Sequence, residues 1–271
     1  MARGNGCEGE GAICAATPRS AQPVQAAAFA AQLLDGEARR IMAGPHHDRA
    51  VDCYELDAAE ASDEARTQVE RALAAIDAVH PFFAQPLIPL VLKPGTDQTL
   101  GGTGVGGYAH WRGVPLSVDI SSDSPSPGLS TLHEIGHQLD QQVFAPIASA
   151  EQWGSDLDPL LDEWREAVMA SRGYSTLVLN CERSIETMDP ELVLYAISLK
   201  EAFARSYAQW IATRSDDDEL HAELDVTLDR ESEPGMIAWQ WQADDFEPIA
   251  AAFDDAFAAW GAFTDELASV A

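Results

Sequence analysis

The chain has 271 residues, enough for one sizeable domain, and its 46% hydrophobic content is ordinary for a globular protein. Its charge is not ordinary: 16 basic residues face 45 acidic ones, a net charge of −29. Such a chain repels phosphate backbones and anionic lipid surfaces, so nucleic acid and membranes are excluded as expected partners. No run of 18 apolar residues predicts a transmembrane helix, and the N-terminus lacks the basic, apolar, small-residue order of a secretory signal. The default expectation is a cytoplasmic protein, with non-classical export left open. Cys7, Cys14, Cys53 and Cys181 fit no zinc-ribbon or redox spacing and read as free thiols.

Residues 1–60 read as a poorly ordered or loosely packed leader, and 61–271 as the main domain. The leader is Gly-rich over Met1–Gly11 and is broken again at Gly44-Pro45. His46 and His47 are adjacent and so face different ways, which suits loop histidines better than a ligand pair. Arg49–Leu56 has the makings of an added edge strand. Val69, Leu73, Ile76 and Val79 then recur at helical spacing, with Ser62 or Asp63 as the cap and His80-Pro81 as the stop. Leu87–Lys93 predicts a strand in which Pro89 leaves one position unpaired. The glycines of Gly101–Gly107 lack the Gly-Lys-Ser/Thr ending of a phosphate loop, so they read as a turn or a substrate-facing loop. Tyr108–Ile120 predicts a hairpin with Trp111-Arg112-Gly113 near its tip. Ser126 and Pro127 then stand as N-cap and first residue of a helix.

That helix carries His133-Glu134-Ile135-Gly136-His137. Residues four apart share a helical face, so both imidazoles can address one metal ion, with Glu134 placed to reach a water on it. Leu132, Ile135 and Leu139 give the helix a buried stripe. Gly136 predicts close packing against another backbone, since otherwise it costs about 1 kcal/mol relative to Ala.

Downstream the chain reads as helical. Leu157–Ser171 has a stripe at Leu157, Leu160, Leu161, Trp164 and Val168, and Asp189-Pro190-Glu191 opens a long helix reaching Ala212. Asp216–Glu219 reads as a solvated helix start, and Phe246–Trp260 as a final amphipathic helix. Trp239 and Trp241 read as core. A catalytic zinc site needs a third protein ligand. The metzincin continuation is absent, which leaves Asp140, Glu163, Glu166, Glu182, Glu186 and Glu201 as candidates. Asp140 also suits a role in orienting an imidazole. Glu201 is set among Ala202, Ala204 and Ala208, small residues that let its helix approach the histidine helix.

His133–Asp140 followed by Glu201-Ala202-Phe203-Ala204 resembles the gluzincin pattern of the anthrax lethal factor catalytic domain and the Pro-Pro endopeptidases. The resemblance covers roughly residues 65–215 and is specific over about a dozen of them. It implies zinc held by His133, His137 and Glu201, with Glu134 as general base and a substrate edge near Gly101–Ile120. It also implies a tyrosine ahead of the ligand glutamate to stabilise the oxyanion. Tyr195 is nearest, but on a continuous helix its six-residue offset turns it about 100° from the Glu201 face. Arg205, Tyr207 and His221 therefore stand beside it as candidates. The interval of 64 positions from His137 to Glu201 predicts an inserted helix. The Phe203–Gln209 run also resembles metal-motif domains of phage head-morphogenesis and polymorphic-toxin proteins.

The expected fold is α+β and zincin-like, mostly helical with a small sheet ahead of the metal helix. The expected function is a zinc endopeptidase, one ion per chain, acting on a protein or peptide. The alternative is a catalytically inactive, zinc-stabilised structural or interaction domain.

Overall fold

Ile88, Leu90 and Leu92 are buried while Pro89, Val91 and Lys93 are not, the period-two pattern of a strand with one face in the core. The computed structural model describes residues 46–82, 85–94, 107–111, 115–144, 153–184, 190–232 and 238–270. In chain order they form β1 (His46–His47), α1 (Ala50–Cys53), β2 (Tyr54–Asp57), α2 (Asp63–Val79) and β3 (Gln85–Pro86). β4 (Ile88–Lys93), β5 (Gly107–Trp111), β6 (Pro115–Ser121) and α3 (Pro127–Leu139) follow. The rest is helical: α4 (Gly154–Leu157), α5 (Asp162–Ala170), α6 (Arg172–Ser184), α7 (Pro190–Ala196), α8 (Leu199–Arg214), α9 (Asp218–Glu231) and α10 (Ala243–Val270). The class is α+β, mostly helical with a small sheet.

The main sheet has the order β2-β4-β6-β5. β2, β4 and β6 run parallel, and β5 closes one edge antiparallel to β6, with Gly107 opposite Ile120. β1 and β3 form a separate antiparallel pair. β2 supplies the edge strand expected near Arg49–Leu56. Packing therefore begins before residue 61, with Ala50, Cys53 and Tyr54 already buried. Residues 1–45, including Cys7 and Cys14, lie outside the described residues, as do Gly101–Gly106.

α2 starts as expected, with the Ser62 hydroxyl accepting the Ala65 N–H at 3.1 Å. The core between α3, α5, α8 and α10 is aromatic: Trp164, Phe203, Tyr207, Trp210, Phe253 and Phe257 are buried together. Phe203 meets Phe253 edge-on at 5.1 Å, and Trp210 stacks on Phe257 at 4.8 Å. His80, at the end of α2, stacks on Trp210. Its Nδ1 faces the Pro81 carbonyl and its Nε2 the Tyr207 hydroxyl, both at 2.9 Å. A carbonyl only accepts, so Nδ1 carries the proton and Nε2 receives the Tyr207 O–H.

Two expected helices are broken. Leu157–Ser171 is divided into α4, a 3₁₀ turn at Pro159–Leu161, and α5, because Asp158 caps a restart by accepting the Leu160 N–H. Leu157 consequently points outward. The long helix to Ala212 is α7 and α8, separated at Ile197-Ser198, where the Ser198 hydroxyl caps α8 by accepting the Glu201 N–H. Trp241 is core, as expected, whereas Trp239 is exposed. Among the described residues no helix is long and apolar enough to cross a membrane.

Candidate metal centre

α3 is held at its start from outside itself. Pro127 takes the first helical position, but Ser126 provides no side-chain cap and its hydroxyl meets Thr227 instead. The orphan N–H of Leu129 donates to the Glu223 carboxylate of α9 at 3.0 Å. Sequence reasoning missed Glu223, whose partner is 94 residues away.

Helical spacing sets His133 and His137 side by side, ring centres 4.7 Å apart. α8 crosses them closely because Gly136 has no side chain: a Cβ there would lie 3.0 Å from Ala204 Cα and 3.2 Å from Tyr207 Cδ1. That approach delivers Glu201. Its Oε1 lies 3.0 Å from His137 Nε2 and its Oε2 3.5 Å from His133 Nε2. All three donor atoms fall within 4.8 Å of one another, so the cluster can hold a metal ion.

The donor set fits such an ion on independent grounds. Glu201 Oε1 is buried and has no hydrogen-bond partner although His137 Nε2 is 3.0 Å away. A buried carboxylate oxygen left without a donor suits a cation in its place. Burial works against the Glu201 charge, yet the His137 and His133 imidazoles outweigh it and hold the carboxyl far below its usual range. Burial likewise opposes charge on His133, and the Glu201 and Glu134 carboxylates overcome it and raise its pKa. The pocket is built for positive charge. It opens past His133, whose side chain is 23% exposed against 8% for His137 and Glu201.

Glu134 is buried beside the edge strand. A Cβ on Gly107 would come within 2.6 Å of Glu134 Cγ and 3.0 Å of the Asp119 carbonyl, so only glycine leaves the carboxylate its place at β5.

Tyr195 does stand at the cluster. Burial, then the Glu201 and Glu134 carboxylates, raise its phenol well above the usual range, which keeps it a protonated donor there. The 100° offset assumed a continuous helix, and the break at Ser198 removes that premise. The other oxyanion candidates are placed elsewhere. Tyr207 gives its hydroxyl to His80 in the core. Arg205 is buried behind the ligand, its Nε donating to the Glu201 carbonyl at 3.0 Å and its Nη2 to the Ala196 carbonyl at 2.8 Å. His221 lies on α9, lining a hollow with Thr213 and Leu228.

The rival ligands do not join the cluster. Glu163, Glu166 and Glu182 are exposed on α5 and α6, and Glu186 lies outside the described residues. Asp140 does not orient an imidazole: it accepts the Ser155 N–H at 2.5 Å and the Ser155 hydroxyl at 2.7 Å. Burial pushes its carboxyl up to about 8 against those bonds.

Compared with known proteins, the chain matches no family profile, no curated protein and no solved structure. Its functional reading rests on its own residues.

Proposed function

We propose that the chain is a zinc-dependent endopeptidase of the gluzincin type, as its resemblance to the lethal factor group implies. One observation carries the reading: two histidines and a buried glutamate converge on one point, with a second glutamate beside an edge strand. Nitrogen and carboxylate donors of this kind suit zinc, and three protein ligands leave a position open. When bound, the ion supplies a polarised carbonyl and an acidified water. The chain supplies the rest. Among the described residues β5 is an edge strand, on which an extended peptide can lie. Glu134 accepts the proton of the attacking water and returns it to the leaving amine. Tyr195 donates its O–H to the carbonyl oxygen as that oxygen gains charge.

The test joins metal content to cleavage. Mass spectrometry on protein purified without added metal should find about one zinc per chain in wild type and Glu134→Gln, and little in Glu201→Ala. A peptide library should be cut by wild type, with chelator abolishing it, and not by Glu134→Gln. Undiminished cutting by Glu134→Gln overturns the role of the base. Zinc without cutting, combined with unfolding on chelation, selects the zinc-stabilised structural domain instead.

A further inference from the structure

Lys200 directly precedes the ligand Glu201. Its ammonium lies 5.0 Å from the Tyr195 ring centre and 5.2 Å from that of Trp153. Both rings wall the cluster: Trp153 meets His137 edge-on at 5.8 Å, and Tyr195 stands beside Glu201. Aromatic faces attract a cation without neutralising it. Lys93, Arg172 and Arg214 each reach a carboxylate. Lys200, in a chain with 45 acidic residues to choose from, makes no ion pair among the described residues. Its position also works against helix stability, because it sits in the first turn of α8, where the helix dipole disfavours a cation. A half-buried charge kept there between two rings, and paired with none of the described carboxylates, is available to an anion from outside.

We infer that Lys200 is a specificity-determining residue that binds a carboxylate of the substrate close to the scissile bond. This rests on the peptidase reading above. An extended peptide advances about 3.3 Å per residue, so a residue beside the cleaved bond can bring a carboxylate to the rim formed by Trp153 and Tyr195. The carboxylate is either an Asp or Glu side chain or a free C-terminus. The net charge of −29 opposes such a substrate at long range. That field is screened beyond a Debye length of about 8 Å at physiological salt, so the contact decides the preference.

Hydroxamate probes test this without needing turnover. Binding of acetyl-glutamyl and acetyl-glutaminyl hydroxamate to zinc-loaded protein is measured by calorimetry. Wild type should favour the glutamyl probe about 3–10-fold. Lys200→Met, which keeps the aliphatic stem, should bind the two alike, and Lys200→Arg should restore the preference. A dipeptide hydroxamate with a free C-terminus, compared with its amide, shows which carboxylate is read. Equal, tight binding of every probe pair to wild type overturns the carboxylate subsite while leaving the metal site standing. Failure of all probes to bind zinc-loaded protein overturns the peptidase reading and the subsite with it.

Discussion

The crossing of α3 with α8 and the corner formed by α6 and α7 both serve the cluster, and they are built differently. The crossing belongs to the main core: Leu132, Ile135, Phe203 and Tyr207 are fully buried around the Gly136–Ala204 approach. The corner rests on a small separate cluster of Leu177, Cys181, Val193 and Ala196, with Leu179 and Leu194 turned to solvent. It is tied to the rest by the Tyr174 hydroxyl donating to the Ile197 carbonyl at 2.7 Å and by Arg205 donating to Ala196. Local opening is cheapest where buried contacts are few. The three candidate ligands thus sit on the stiff part, while Tyr195 rides on the part expected to open first. On the proposed reading, holding the metal and stabilising the oxyanion are separable jobs.

Tyr195→Phe sharpens that separation most. Turnover should fall about 10²–10³-fold, with zinc content and melting temperature unchanged. Loss of zinc in this variant would show that the corner and the crossing are one unit. Acid should strike the crossing side instead. Burial holds His80 down to about 4, against the pull of the Pro81 carbonyl. Between its unfolded value near 6.5 and about 4, the unfolded chain binds the proton and the native one does not, so stability falls as pH drops through that window. The loss amounts to roughly 3 kcal/mol. Chemical denaturation of wild type and His80→Gln at pH 7 and pH 4 should show a smaller loss in the variant; equal losses would place the acid sensitivity elsewhere. The smallest effect is expected of Gly136→Ala. Alanine gains about 1 kcal/mol in helix propensity but forces Ala204 back, an overpacking cost of about 1–3 kcal/mol. The net is a destabilisation of about 1 kcal/mol with weaker zinc binding, read by denaturation and metal titration. A more stable variant that binds zinc as wild type does would mean that the crossing can relax.

Much of the site was legible in the sequence because it obeys local rules. Pro127 opens α3, four-residue spacing pairs the histidines, and Gly136 with Ala204 announces a close helix contact. What escaped depends on distant or ambiguous signals. The Ser198 cap looks in sequence like a serine inside a helix, since the apolar spacing runs on through it, and only its bond to the Glu201 N–H marks the break. Glu223 belongs to another helix altogether. The division of Leu157–Ser171 was signalled by Asp158-Pro159, a capped restart, and the apolar stripe masked it. Asp140 has helical spacing from His137 that suits an imidazole partner, and Ser155 takes it from the other side.

The three donors also have a topological consequence. His137 and Glu201 are 64 positions apart, so an ion held between them acts as a removable cross-link around α4 to α7. Cys53 and Cys181 are both buried and are not joined to each other, so they form no such link. A loop of that length gains much of its freedom when the link is cut. Chelation would therefore be felt first as protease sensitivity at the α6–α7 corner, well before the sheet or the aromatic core that α5 joins gives way.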